Sequence, residues 1–74
     1  MSADVEQLIA DTLGIARKKV TPGLAFGEVA EWDSLGHVSI MLALEERLGT
    51  EIDAEQMVEL TSVGAIHEYV RAAA

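Results

Sequence analysis

The sequence predicts a small all-α domain, a four-helix bundle with three longer helices, a short third helix and a long loop between helices one and two. Three observations support this prediction. The chain has 74 residues, enough for one domain over residues 1–74 with one core and no enclosed active-site cleft. Apolar residues recur at helical spacing in four separate segments. Capping residues also stand near the ends of these segments.

The first segment has the pattern of an amphipathic helix, because its apolar residues recur at three- and four-residue spacing. Ser2 or Asp4 is the candidate start. Gly14 is the candidate end, and the basic residues 17–19 that follow complement the dipole at the carboxyl end of a helix. The face that we expect to be buried comprises Val5, Leu8, Ile9, Thr12 and Leu13.

A long loop is expected over residues 15–33, where the helical periodicity fades and "TPG" at residues 21–23 forces a turn. A loop of this length is unusual in a small domain unless it is functional or held by contacts with the core. The candidates for such contacts are Val20, Leu24, Phe26 and Val29.

The stretch "DSLGHVSIMLALEERLG" (residues 33–49) predicts the longest and most apolar helix, with Asp33 as N-cap and Gly49 just after its end. Gly36 lies in its first turn and lowers helix stability by about 1 kcal/mol relative to alanine. We therefore expect local looseness there. The expected buried face comprises Leu35, Val38, Met41, Leu42 and Leu48, widened by Ile40 and Leu44.

Two further helices complete the predicted bundle. Asp53 can cap a short third helix, with Gln56 three residues later as in a capping box. The residues that this helix can bury are Met57, Val58 and Leu60. The last helix begins at Thr61 or Ser62, and its apolar face comprises Val63, Ile66, His67 and Val70, with Tyr69 at the edge.

The net charge of −8 lies entirely between Glu28 and Glu59. This balance argues against nucleic acid and anionic membrane as partners, because both require a cationic protein surface. It favours docking to basic protein surfaces, although acids on a small domain also serve solubility. The acidic residues of this segment are Glu28, Glu31, Asp33, Glu45, Glu46, Glu51, Asp53, Glu55 and Glu59.

Cysteine is absent, which excludes disulfides and thiolate zinc sites and favours an intracellular location. The first residues carry acids within their apolar pattern, so they predict neither a signal peptide nor a membrane span. We expect a monomer in the cytoplasm. Because the chain starts at Met1 and lacks linkers, we also expect it to be free-standing.

Ser34 has three possible interpretations. The simplest is a polar residue in the first turn of a helix. A hydrolase triad of Asp33, Ser34 and His37 is disfavoured, because the serine and histidine are three apart on one helix and no oxyanion hole fits so small a bundle. The third is an attachment site, where a phosphodiester would lie beside unpaired amides at the positive end of the helix dipole. We expect His37 to be a surface residue, and the separate His67 supports no metal site.

Taken together, the chain resembles the acyl carrier protein family, including the carrier domains of polyketide and nonribosomal peptide assembly lines. The stretch "LGIARKKVTPGLAF" (residues 13–26) is similar to the family's first loop, and "DSLGHVSIMLALEERLGTEID" (residues 33–53) to its attachment motif and second helix. The stretch "LTSVGAIHEYV" (residues 60–70) is similar to its last helix. The Asp-Ser-Leu triplet alone is weak evidence, but it is specific at the start of this apolar helix in a small acidic chain.

The resemblance implies that Ser34 receives 4′-phosphopantetheine from coenzyme A, delivered by a magnesium-dependent phosphopantetheinyl transferase. The cargo is then a thioester on the terminal thiol, which supplies the sulfur that the chain lacks. By the same resemblance Asp33 precedes the modified serine and Leu35 follows it as a hydrophobic contact. The protein would not be an enzyme. Its partners would be an acyl- or aminoacyl-loading enzyme and downstream synthases.

The resemblance also predicts residues that meet partners or cargo. Val38, Glu45 and Glu46 stand where such carriers face partner enzymes. Trp32 is a candidate contact to a partner or the arm, with a core or staple role as the alternative. In several such proteins the cargo folds back between helices two and three. The corresponding residues here, for which we favour an ordinary core role, are Leu42, Ile52, Met57 and Val58.

The sequence also departs from the family's pattern. Glu31 and Trp32 stand where the family often has a glycine, and bacterial fatty-acid carriers are frequently acidic where this chain has Gly36, His37, Ser39 and Arg47. These departures favour a specialised pathway that loads a small acyl or aminoacyl unit. The alternative hypothesis is an unmodified acidic module for protein–protein interaction, and a small serine hydrolase comes third.

Overall fold

Four α-helices follow one another along the chain: α1 (Ala3–Leu13), α2 (Ser34–Leu48), α3 (Ala54–Glu59) and α4 (Val63–Ala73). The structure is a computed structural model that describes the backbone of residues 3–73 and the side chains of residues 5–73. Ser2 and the side chain of Asp4, the candidate starts of α1, therefore lie outside what is described. The all-α prediction with a short third helix is confirmed, and the described residues contain no strand beyond one isolated bridge.

One cluster of buried apolar side chains from α1, α2, α4 and the connecting segments forms the core, and α3 packs against it through half-buried Met57. From α1 it takes the predicted Val5, Leu8, Ile9 and Leu13, whereas Thr12 is half-buried. The remaining members of the cluster are Ala10, Val20, Leu24, Trp32, Ile40, Met41, Leu44, Ile52, Leu60, Val63 and Ile66.

No helix among residues 3–73 has the length and apolar character that crossing a membrane requires.

The loop between α1 and α2 is held against the connection that precedes α4. The amide of Phe26 donates to the carbonyl of Thr61 (2.8 Å), and the amide of Val63 donates to the carbonyl of Leu24 (2.9 Å). Val20 and Leu24 are buried as predicted, while Phe26 is 43% exposed. The loop is therefore fixed by paired backbone groups as well as by apolar side chains.

Polar side chains cap α2, α3 and α4 as the sequence predicts. The Asp33 carboxylate accepts the amide of Gly36 at the start of α2 (2.9 Å), and the Asp53 carboxylate accepts the amide of Gln56 at the start of α3 (2.8 Å). The Ser62 hydroxyl oxygen accepts an amide in the first turn of α4 (3.1 Å), which selects this residue over its neighbour as the cap. Each such cap stabilises its helix by about 1 kcal/mol.

The orientation of α2 differs from the prediction. Its most deeply buried residues are Ile40, Met41 and Leu44. Three residues that we expected on the buried face point away from the core: Leu35, Val38 and Leu42, which are 75%, 48% and 57% exposed. The prediction was wrong because α2 is apolar on both sides, so apolar spacing alone does not select the side that packs against the core.

Candidate functional site

Ser34 is the first residue of α2 and is exposed to solvent. The chain reaches it in an extended conformation at Asp33, whose carboxylate and carbonyl accept the amides of Gly36 (2.9 Å) and His37 (2.8 Å). The first amides of a helix have no acceptor within the helix, and its amino end carries partial positive charge. An exposed hydroxyl at this position therefore fits a phosphate-linked group.

Gly36 allows the preceding loop to approach the first turn of α2 closely. A Cβ atom added at Gly36 would lie 2.2 Å from the carbonyl oxygen of Glu31 and 3.1 Å from Cδ2 of Leu13. The glycine therefore permits a close approach of two backbone segments. The sequence did not reveal this packing role of Gly36, and the looseness that we expect there stays a prediction.

Trp32 is the largest fully buried side chain and has 0% of its surface exposed. Its indole Nε1–H donates to Nδ1 of His37 at 3.1 Å. The prediction that Trp32 contacts a partner is therefore wrong, and the core alternative is right. The indole lies two residues before Ser34 and fixes the loop to the first turn of α2.

His37 is half-buried, and both of its ring nitrogens are engaged. Nδ1 accepts from Trp32, and Nε2 lies 2.7 Å from the carbonyl oxygen of Met57 in α3. Because a carbonyl only accepts, the ring proton is on Nε2. The ring of Phe26 makes an edge contact with the imidazole, with centroids 5.7 Å apart. Our prediction of a surface histidine was wrong, since its partners are distant in sequence and leave no local pattern.

This geometry leaves the hydrolase hypothesis without a general base. A general base must offer an unprotonated nitrogen to the serine hydroxyl. In His37 the unprotonated nitrogen already accepts the indole hydrogen of Trp32. The structure brings Ser34 and His37 into the same helical turn, but it gives the histidine a different set of partners.

The residues predicted to face partner enzymes have different environments. Val38 and Glu46 are exposed, as is Leu35, which the resemblance places next to the modified serine. Glu45 is half-buried, and its Oε2 accepts the amide of Ile52 at 2.7 Å. Glu45 therefore also closes the connection between α2 and α3, a role that the sequence did not predict.

The residues considered for a cargo contact are likewise divided. Ile52 is 3% exposed and belongs to the core, as we expected, and Met57 is half-buried. Leu42 and Val58 are 57% and 71% exposed, so an ordinary core role is wrong for both. Together with Leu35 and Val38, for which the resemblance predicts outward contacts, these residues are exposed apolar side chains on α2 and α3. This set is defined here as the outer apolar surface and comprises Leu35, Val38, Leu42 and Val58.

The carboxylates of the acidic segment divide into two groups. Four of its carboxylates accept backbone amides and so hold the local structure: Glu28, Asp33, Glu45 and Asp53. Of these four only Glu45 is half-buried, and Glu28, Asp33 and Asp53 are exposed. The other five acids are exposed too: Glu31, Glu46, Glu51, Glu55 and Glu59. A basic partner could meet the exposed acids of both groups, although those of the first group also hold the local structure.

Comparisons with known proteins agree over nearly the whole chain. The profile of the family described as "Phosphopantetheine attachment site" matches residues 3–70. An acyl carrier protein of Rubrobacter xylanophilus is 38% identical over 66 residues, which cover 89% of this chain and 82% of that protein. An acyl carrier protein of Helicobacter pylori strain G27 is 36% identical over 67 residues, which cover 90% of this chain and 86% of that protein.

Proposed function

The chain belongs to the acyl carrier protein family, and from that premise we propose that Ser34 is the residue to which its 4′-phosphopantetheine is attached. Membership makes the protein a non-catalytic acyl carrier with a covalently bound 4′-phosphopantetheine. It also implies a phosphopantetheinyl transferase and synthase enzymes as partners. When bound, the group supplies a terminal thiol that holds the cargo as a thioester.

The observation that most directly supports attachment at Ser34 is the position of this residue. It is the first residue of a 15-residue helix and is exposed. Asp33 occupies the cap with its carboxylate on Gly36, so the serine hydroxyl is not needed to cap the helix. The other polar residues near the helix start differ, because Ser39 is half-buried and His37 is bonded at both nitrogens.

Attachment requires one bond to form and one to break. The Ser34 oxygen loses its proton and forms an ester bond to the pantetheine phosphate of coenzyme A, while the diphosphate bond breaks and adenosine 3′,5′-bisphosphate leaves. The amino end of α2 suits the phosphodiester, because the first amides and the helix dipole favour negative charge. The transferase supplies the magnesium ion and the base for this step.

The outer apolar surface is the proposed docking area for partner enzymes. Leu35 and Val38 lie within one turn of Ser34, and both are exposed. Exposed Glu46 lies further along the same helix and provides attraction to a basic partner. Apolar contacts would then supply most of the affinity, and the exposed acids would supply orientation and specificity.

The cargo that we propose is a small acyl or aminoacyl unit of a specialised biosynthetic pathway. Its support is the small number of acidic residues along α2, where only Glu45 and Glu46 are carboxylates. None of Gly36, His37 and Ser39 is a carboxylate, and Arg47 in the last turn of α2 is cationic. A partner adapted to this surface would depend less on charge than one adapted to a strongly acidic helix.

Intact-protein mass spectrometry tests the attachment site. The purified chain is incubated with coenzyme A, magnesium and a broadly tolerant phosphopantetheinyl transferase. We expect a mass gain of one phosphopantetheine on the wild type and on Ser39→Ala, and no gain on Ser34→Ala. Ser39 is the matched control because it lies on the same helix and is half-buried. A gain on a folded Ser34→Ala variant would contradict the proposal.

A further inference from the structure

The seam between α2 and α3 is closed near both of its ends by side chains of α2 that bond to backbone atoms of the α3 segment. We propose that these two bonds, from His37 to Met57 and from Ile52 to Glu45, keep the cargo outside the bundle. This inference rests on the proposed function, because it concerns a group tethered at Ser34. It makes the chain a carrier for groups that remain accessible in solution.

The first closure lies near Ser34. His37 Nε2 donates to the carbonyl of Met57 at 2.7 Å, and its Nδ1 accepts from the buried indole of Trp32 at 3.1 Å. The imidazole thus joins the loop before α2 to α3, three residues along the helix from Ser34. The ring of Phe26, which is itself partly exposed, makes an edge contact with the imidazole at a centroid distance of 5.7 Å.

The second closure lies about two turns further along α2. Glu45 Oε2 accepts the amide of Ile52 at 2.7 Å, just before α3 begins. Eight residues separate His37 from Glu45 in α2, which corresponds to about 12 Å along the helix axis. Because α3 has only six residues, two bonds at this spacing hold both its preceding connection and its body against α2.

Opening the seam would leave polar groups without partners. The carbonyl of Met57 and the amide of Ile52 would lose their bonds, and Ile52 is 3% exposed. The Trp32 indole, which is fully buried, would lose its acceptor if His37 rotated outward. A buried polar group without a partner is strongly disfavoured, so the closed seam is the stable state.

The apolar residues of α2 and the α3 segment that belong to the core cluster are almost completely buried: Ile40, Met41, Leu44 and Ile52. Protein cores are packed to the density of organic crystals, so an alkyl chain would have to displace these residues. The exposed outer apolar surface, in contrast, needs no displacement.

Accessibility of the thioester tests this inference. The wild type is loaded with acetyl or octanoyl groups directly from the acyl form of coenzyme A. Cleavage by hydroxylamine is then timed and divided by the rate for the same acyl group on free pantetheine. We expect the two normalised rates to agree within about twofold, whereas burial of an alkyl chain would slow octanoyl cleavage about fivefold or more, because each methylene favours the buried form. Such slowing in the wild type would overturn the proposal.

Two variants test the assignment to the named bonds. In His37→Ala and Glu45→Ala one closure is removed, and we expect octanoyl cleavage to slow by about threefold or more relative to acetyl. The matched controls are His67→Ala, on α4, and Glu51→Ala, an exposed carboxylate next to Ile52; both should retain the wild-type ratio. If folded Glu45→Ala and His37→Ala both retain that ratio, the two bonds are not the barrier. If one of them does not fold, the other and the wild type decide.

A second tether separates this inference from the attachment proposal. Ser34→Cys would be the only cysteine in the chain and can be alkylated with an iodoacetamide that carries a long alkyl chain through a flexible linker. We expect its melting temperature to match that of the methyl analogue within about 1 °C, because an alkyl chain in the core would raise it by several degrees. A rise of several degrees would overturn the proposal even if the transferase modifies another residue.

Discussion

The two sides of α2 carry the same kinds of apolar residue and have opposite environments. Ile40, Met41 and Leu44 are at most 1% exposed, whereas Leu35 and Leu42 are more than half exposed. The inner residues have their contacts within this chain. The outer residues have none of comparable extent, so their apolar character is not explained by folding. The comparison shows that apolar content alone does not distinguish a core from a docking surface.

The polar residues of α2 sharpen the same contrast. On the inner side, His37 and Glu45 bond to backbone atoms of the α3 segment. On the outer side, Ser34 and Glu46 are exposed to solvent. We therefore expect changes on the inner side to alter the stability of the fold, and changes on the outer side to alter reactions with partner enzymes.

The largest expected effect comes from truncation of the inner side. Leu44→Ala should lower the free energy of unfolding by about 2 to 5 kcal/mol, because it removes a buried side chain and leaves a cavity. The exposed Leu42→Ala is the matched control and should change it by less than about 1 kcal/mol. Urea denaturation measures both. Equal losses in the two variants would contradict the division into two sides.

Gly36 gives the next effect, and its sign is informative. Alanine has the higher helix propensity by about 1 kcal/mol, so Gly36→Ala would be stabilising in an open helix. Here the added Cβ would lie 2.2 Å from the Glu31 carbonyl oxygen. We therefore expect a net decrease of about 1 to 3 kcal/mol in the free energy of unfolding. The urea midpoint of Gly36→Ala decides between these signs. A higher midpoint would show that the loop does not approach α2 this closely.

Removal of the imidazole bridge should have an effect of similar size or smaller. His37→Ala should lower the free energy of unfolding by about 1 to 3 kcal/mol, because it leaves the Trp32 indole and the Met57 carbonyl without their partners. Trp32 is the only tryptophan, so its emission spectrum should also shift. The control is His67→Ala, which removes the bond to Glu6 (3.0 Å) and should leave the emission unchanged. An unshifted spectrum in His37→Ala would contradict the bridge.

The N-cap of α2 gives a further test. We expect Asp33→Ala to lower the free energy of unfolding by about 1 kcal/mol, because the Gly36 amide loses its acceptor. Asp33→Ser restores an oxygen at the cap and should recover most of that loss. Thermal unfolding of the three proteins makes the comparison. If the serine variant is as unstable as the alanine variant, the carboxylate acts through something other than the cap.

The smallest effect on stability is expected on the outer side. Leu35→Gln should change the free energy of unfolding by less than about 0.5 kcal/mol, because the side chain is 75% exposed. If this surface carries docking energy, kcat/KM for phosphopantetheinyl transfer should nevertheless fall by about tenfold or more. Steady-state kinetics with the variant as substrate measure the fall. Unchanged kinetics would remove Leu35 from the docking surface.

Local patterns predicted much of the fold. The start of α2 at Asp33 and its end at Gly49 follow from short-range capping chemistry, and both are confirmed. Four-residue periodicity likewise identified most of the buried face of α1. These features depend on residues close together in the chain, so the sequence alone carries the necessary information.

Long-range features were not predictable in the same way. The bond between His37 and Met57 joins residues 20 apart, and no local pattern signals it. Trp32 bonds to the same imidazole, and its neighbour Glu31 makes the close approach to Gly36. The exposed side of α2 was misassigned because both sides are apolar. What the sequence could predict was the site's serine and its cap, while the packing around them required the structure.

The most direct test of the account is to locate the modification within the chain. The protein is modified by a phosphopantetheinyl transferase and digested, and its peptides are fragmented in the mass spectrometer. The account predicts phosphopantetheine on Ser34, the exposed first residue of α2, and on no other hydroxyl. Phosphopantetheine on Ser39 or Ser62, or on no peptide when a positive control is fully modified, would contradict it.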